Sequence, residues 1–269
     1  MVKSVMVRSS DGYKLAATLC RGSRTDCVVI WLHGISVDKD EHLGFFRDGA
    51  NYLLNKGISS VRFDFRGHGE SEGTSVDFSV VGQILDVRAI LRLVVSEFGS
   101  QAKIHIVAAS FGSPAAIFIA IQHPELIKSL CLIAPVLSYR RTFLEPETEW
   151  AKQLFSQEKL QQLEVTGRLY LTPNFYISPR LVEEMRLLSP DIVLRDITQP
   201  VLIIHGDKDS MVPYDVSAQV CRELPSVRLV TLSGADHGFI QEGDEEGLSI
   251  QSINNKETIY RIIEEQIER

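Results

Sequence analysis

Short apolar runs rich in β-branched residues alternate along this chain with helically spaced stretches, and that alternation leaves few folds open. Val28–His33, Ser60–Phe65, Ile104–Ala108, Ile127–Ala134, Val201–His205 and Val227–Leu232 each read as a strand. Asp40–Asn55, Val80–Phe98, Pro114–Gln122 and Tyr214–Leu224 lie between them with helical spacing, and Lys256–Gln266 follows as an amphipathic helix. On Val80–Phe98 the apolar face carries Ile84, Val87 and Leu91, which places Asp86, Arg88 and Arg92 off it. Strands and helices in this order imply the α/β class, a mostly parallel sheet with helices on both faces. Val2–Arg8 and Leu15–Cys20, joined at Ser10-Asp11-Gly12, precede it as an antiparallel hairpin.

The alternation fails between residues 137 and 199, where charge and aromatics replace buried-strand runs. Helices are expected at Glu147–Gln162 and Pro179–Leu188, with a hairpin over Leu169–Ile177 turning at Pro173-Asn174. This segment reads as a cap inserted into a core made of residues 1–136 and 200–269. It holds a third of the chain's aromatic residues. Large side chains serve either to pack a short insertion onto the core or to line an apolar slot for an aromatic or medium-length acyl group, and Trp150, Phe143, Tyr170 and Phe175 are the candidates for the slot.

In an open α/β sheet, ligands gather at the carboxyl ends of the strands. The run Ile104–Ala108 ends in Ala109-Ser110-Phe111-Gly112, a strand, tight turn and helix with a hydroxyl at the apex. Small residues on either side of the serine let the backbone turn sharply, and the first helical N–H groups, starting at Phe111, point at any anion formed there. Other strand ends supply His33-Gly34-Ile35, Arg66-Gly67-His68-Gly69, His205-Gly206-Asp207-Lys208-Asp209 and Gly234-Ala235-Asp236-His237. A serine hydroxyl needs a neutral imidazole to take its proton, and that imidazole needs a carboxylate to fix its tautomer. Ser110 is thus expected as nucleophile and His237 as base. Asp209 is preferred as the acid: Asp207 sits in a Gly-Asp turn it can hold by an Asx-type bond, and Asp236 is adjacent to His237 and points away from its ring.

Taken together, His33-Gly34, Asp64 through Ser71, Ala108-x-Ser110-x-Gly112, His205-Gly206-Asp207-x-Asp209 and Asp236-His237 resemble the α/β-hydrolase fold over nearly the whole chain. Within it the chain is most similar to serine esterases with a small cap, the feruloyl/cinnamoyl esterases and monoacylglycerol-lipase-like enzymes. Ala108 departs from the usual glycine at the first elbow position. The resemblance implies Asp209 as the triad acid and an oxyanion hole from the backbone N–H groups of Ile35 and Phe111. It also implies hydrolysis of a small-molecule carboxylic ester without a cofactor. Thioesterase, amidase and acyltransferase activities use the same three groups, and a non-catalytic ligand-binding protein on this fold is the alternative from another class. Ser110 excludes the haloalkane dehalogenase and epoxide hydrolase chemistries, which need a carboxylate nucleophile.

Composition narrows the partners. A net charge of −7 without a basic block argues against nucleic acid. The longest apolar stretches, Val28–Leu32 and Pro114–Ile121, are too short to insert across a bilayer. The first eight residues alternate like a strand and lack an apolar core, so no signal peptide is expected and the location is read as cytoplasmic. Cys20, Cys27, Cys131 and Cys221 lack C-x-x-C spacing and read as reduced thiols, and the seven histidines form no tight ligand pair, so no metal is expected. His33 and His68 are expected to bond backbone around the strand-end loops. Gly67-x-Gly69 lacks the third glycine of a dinucleotide site. Glu70, Glu72 and the stretch Glu242–Glu246 read as surface charges. The sequence leaves oligomeric state open, a homodimer included.

Overall fold

The computed structural model describes residues 1–24, 26–241 and 243–269. Among the described residues ten strands and nine α-helices follow one another as β1 (Val2–Arg8), β2 (Lys14–Cys20), β3 (Cys27–Leu32), α1 (Phe45–Asn55), β4 (Ser59–Phe63), α2 (Val80–Phe98), β5 (Lys103–Ala109), α3 (Ser113–Gln122) and β6 (Ile127–Ile133). There follow α4 (Glu149–Leu154), α5 (Gln157–Thr166), β7 (Leu169–Thr172), β8 (Phe175–Ile177), α6 (Pro179–Leu187) and α7 (Pro190–Val193), then β9 (Val201–Gly206), α8 (Tyr214–Glu223), β10 (Val227–Leu232) and α9 (Ile250–Ile267). Eight strands form one sheet in the order β1-β2-β4-β3-β5-β6-β9-β10. β1, β2 and β4 pair antiparallel, and every other neighbour pairs parallel.

The central strands are buried on both faces, which is why they read as unbroken apolar runs. On β3, Val28, Ile30 and Leu32 join the core beneath α2 and α3, while Cys27, Val29 and Trp31 join a second core with Phe46 and Leu53 of α1 and Ile259 and Ile263 of α9. Among the described residues no helix is long and apolar enough to cross a membrane. The four cysteines are free, and Cys20, Cys27 and Cys131 are buried.

Four local expectations are corrected. The helix expected over Glu147–Gln162 is two, because Thr148 caps α4 through the Ala151 N–H and Ser156 starts α5 afresh by accepting from the Lys159 N–H. α9 begins at Ile250 rather than Lys256: Ser249 accepts from the Ser252 N–H and Asp244 holds the Ser249 N–H, capping a turn too polar to show periodicity. The helix expected from Asp40 starts at Phe45, because Glu41 (φ 61°) and Leu43 (φ 51°) adopt left-handed backbone. Asp86 is fully buried instead of lying off the apolar face. Of the acidic stretch Glu242–Glu246, Glu242 lies outside the described residues.

Asp86 is buried for Arg66, whose Nη2 and Nε donate to it at 2.7 and 3.1 Å and whose backbone N–H donates at 3.0 Å. Asp11 takes the other edge of the guanidinium at 2.6 Å. The pair ties β4's exit loop to α2. Replacing one partner leaves the other charge buried, so Asp86→Ala is expected to cost about 3–5 kcal/mol in urea unfolding. A loss below about 1 kcal/mol means that Asp11 alone compensates the Arg66 charge.

Residues 137–199 lie between β6 and β9, where the insertion was expected, and their apolar side chains share the core of α2 and α3. The Glu184 carboxylate accepts from the Val80 N–H at 2.6 Å, and the Tyr176 N–H donates to Ser75 Oγ. The hairpin β7–β8 turns at Pro173-Asn174.

Candidate active site

The turn after β5 holds Ser110 at φ 47°, a left-handed conformation that costs an L-residue about 1–2 kcal/mol. The strain lifts its side chain off the sheet, and α3 begins three residues on. Gly112 permits this: a Cβ there would lie 2.5 Å from the carbonyl oxygens of Leu32 and His33 on the adjacent strand. Ala108, in the position where the elbow pattern has glycine, is fully buried without displacing the turn, and Ser113 Oγ donates to its carbonyl.

The loops after β9 and β10 meet this serine. His237 Nε2 lies 3.2 Å from Ser110 Oγ, and His237 Nδ1 lies 2.7 Å from Asp209 Oδ2. The Asp209 side chain is fully buried and accepts from the Met211 and Val212 N–H groups through Oδ1. Burial opposes its ionisation, but the His237 charge and the bonds from His205 and His237 hold the carboxyl below the usual carboxylate range. Asp207 accepts from the Gly234 N–H and Asp236 from the Ser210 and His237 N–H groups, so both carboxylates hold loops. Burial pushes the His237 imidazole down, yet Asp209, aided by Glu41 and Asp236, more than offsets it and leaves the group above the ordinary histidine value. Only the neutral imidazole can accept the serine proton. The acid limb of kcat/KM is therefore expected to centre above pH ~6.5, and a limb centred below it contradicts this arrangement.

Two histidines bracket Ile35. His33 Nε2 accepts from the Phe65 N–H at 2.9 Å, so its Nδ1–H donates to the Gly34 carbonyl at 2.7 Å. His68 Nε2 accepts from the Ser36 N–H at 3.1 Å. Both rings thus bond backbone around the strand-end loops, as expected, and burial pushes them down to about 4 and about 3, which keeps them neutral. Between these anchors the Ile35 N–H has no acceptor among the described residues. Ile35 lines the cavity with Ser110, and Phe111 follows Ser110 at the head of α3.

The cavity over Ser110 measures about 360 Å³, and the partly buried Trp150 lines it. The other three slot candidates do not, and each has a packing reason. Phe143 is buried between Phe111 and Phe155, with centroids at 5.7 and 4.9 Å. Phe175 packs on His68 and Phe78 at 4.6 and 6.1 Å. Tyr170 is half exposed and packs on Tyr176, while Leu171, on the other side of the strand, reaches the cavity.

Two residues of the site carry no expectation from sequence. His205 is fully buried and lies 3.0 Å from the same Asp209 oxygen that His237 uses, with its Nδ1 2.8 Å from Ser217 Oγ. Its spacing of four from Asp209 is the signal that marks it. Glu41 lines the cavity, and its Oε2 accepts from the Gly34 N–H at 2.8 Å. Burial raises its carboxyl above the ordinary value, against the pull of the Gly34 and His42 N–H groups.

Comparison with known proteins fits this geometry. Residues 23–175 match the family described as serine aminopeptidase, S33, and residues 137–244 match the family described as alpha/beta hydrolase fold. Among curated proteins, the monoacylglycerol lipase abhd6-B of Xenopus laevis is 35% identical over 213 residues, 78% of this chain and 57% of its own length. Protein ABHD8 of Bos taurus is 22% identical over 249 residues, 85% of this chain and 56% of its own length, so the chain spans little more than half of these relatives. Est1E of Butyrivibrio proteoclasticus, solved with ferulic acid bound, superposes at a TM-score of 0.78 with 22% identity, covering 98% of this chain and 100% of that one. A likeness at that identity carries the fold, and the profile match carries the family: the chain has the α/β-hydrolase fold and belongs to the family described as serine aminopeptidase, S33.

Proposed function

We propose that this chain is a hydrolase that cleaves small-molecule carboxylic esters through an acyl-enzyme on Ser110. The observation that carries the reading is the unbroken relay from Ser110 Oγ through His237 to the buried Asp209, at 3.2 and 2.7 Å. Ser110 Oγ attacks the acyl carbonyl as its proton passes to His237 Nε2. The carbonyl oxygen becomes an oxyanion facing the N–H groups of Ile35 and Phe111. Collapse of the tetrahedral adduct expels the alkoxide, which takes the proton from His237. Water, deprotonated by the same imidazole, then attacks the acyl group and frees Ser110. Asp209 keeps Nδ1 protonated throughout, so that Nε2 is the basic nitrogen.

In this reading residues 137–199 form the cap, with Trp150 and Leu171 over the acyl carbonyl. Four free cysteines, three of them buried, suit a reducing cytoplasm. Treating the protein with a fluorophosphonate and weighing it intact tests the proposal. One adduct is expected, absent from Ser110→Ala, and an ester panel should turn over faster than matched thioesters and amides. A folded protein that takes no adduct is a binding protein on a hydrolase scaffold.

A further inference from the structure

The geometry points to a cation-accepting subsite inside the active-site cavity, in which Glu41 selects substrates that carry an ammonium group near the scissile ester; the inference rests on the serine-hydrolase reading. A Cβ placed on Gly34 would lie 3.3 Å from Ser110 Cβ and 3.7 Å from both Glu41 carboxylate oxygens. Gly34 thus neighbours both this carboxylate and the Cβ of the nucleophile. Its Oε2 takes the Gly34 N–H at 2.8 Å and its Oε1 the His42 N–H at 3.3 Å, which leaves lone pairs on both oxygens.

The positive charge that bears on Glu41 from the protein side is that of His237 when its ring is protonated, and the basic side chains in the described cavity lining are His42 and His237. The described cavity lining contains no Lys or Arg. Lys39, two residues away, is committed to Asp64 at 3.0 Å and Glu70 at 2.7 Å. His237 is neutral when it acts as base. The backbone of Glu41 is nevertheless held at φ 61°, in the left-handed region, and this turn delays α1 to Phe45. Strain of this kind persists where the surroundings enforce it, and here it holds a carboxylate in the lining of the cavity that contains Ser110.

A carboxylate beside an oxyanion hole opposes the charge that forms there. A neutral ester meets that repulsion in full, an anionic ester adds to it, and an ammonium group on the substrate cancels it. Trp150, Phe45 and Phe239 line the same cavity and offer aromatic faces to the cation. The rival is that Glu41 only clamps the Gly34 loop. Glu41→Gln separates the two, since an amide oxygen still accepts from the Gly34 N–H but carries no charge.

The test compares acetylcholine, its neutral isostere 3,3-dimethylbutyl acetate and anionic 3-sulfopropyl acetate. Calorimetric titration into Ser110→Ala protein needs no turnover, and kcat/KM is read with Ser110 intact. In both measurements the cation is expected to lead the isostere by about tenfold, with the anion last. Glu41→Gln is expected to bring cation and isostere within about twofold while Tm stays within a few degrees. Equal binding of cation and isostere in the parent overturns the subsite, as does a ratio that survives Glu41→Gln. A uniform drop in kcat for all three esters assigns Glu41 to the loop alone. Absence of turnover and of a fluorophosphonate adduct on Ser110 instead defeats the hydrolase reading, and the titration still decides the subsite.

Discussion

Ser110→Ala is expected to lower kcat for a good ester substrate by about a millionfold, with the protein still folded. In the proposed mechanism the bond to the acyl group forms on this serine, whose hydroxyl is the one hydrogen-bonded to His237 among the described residues. What remains comes from the N–H groups of Ile35 and Phe111 and from binding, worth about 10³–10⁴ over water. Stability should barely move, because alanine keeps the Cβ that the φ of 47° strains. Ser110→Gly is the informative companion: it removes the same hydroxyl and relieves the backbone, so it should unfold later than the parent by about 1 kcal/mol. A Ser110→Ala enzyme within about a hundredfold of the parent removes Ser110 from the chemistry.

Asp209→Asn is expected to cost about 10⁴ in kcat. The asparagine oxygen can keep the Met211 and Val212 N–H groups that Oδ1 now accepts. Its NH₂ then faces His237 Nδ1 and His205 Nε2, where the carboxylate accepted from both. His237 responds by placing its proton on Nε2, and the nitrogen facing Ser110 ceases to be a base. Activity falls through the tautomer rather than through collapse of the site. The acid limb should also move down, since the charge that raised His237 is gone. A loss below about tenfold hands the acid's role to another carboxylate, and Asp236, already within the loop, is the one to change next.

The fold is legible in this sequence because its central strands are buried on both faces and therefore stand out as unbroken apolar runs. Their register follows, and with it the rim on which Ser110, Asp209 and His237 fall. Features that depend on a distant partner are not legible. Asp86 looks like the polar side of α2 until Arg66 arrives from another strand end. Glu41 looks like an acid in the first turn of a helix, and nothing local reveals that its backbone turns over to reach Gly34. The aromatic cap is ambiguous for a related reason. Composition says that large rings are present, while whether a ring faces substrate or core depends on a one-residue alternation such as that between Tyr170 and Leu171.

The paired imidazoles around Ile35 set an acid limit on the fold that is separate from the proposed chemistry. An unfolded chain takes up protons on such rings near pH 6.5, whereas the folded loop refuses them until about 4 and about 3. Between those values unfolding binds two protons that folding cannot, so stability drains by up to about 2.7 kcal/mol per pH unit. Once a proton does enter, the ring nitrogen that accepted the Phe65 or Ser36 N–H becomes a donor facing a donor. Lowering the pH from about 7 to about 5 should therefore weaken the fold through the loop that presents Ile35, read as a falling free energy of urea unfolding that returns on neutralisation, and an unfolding free energy that stays level over that range contradicts it.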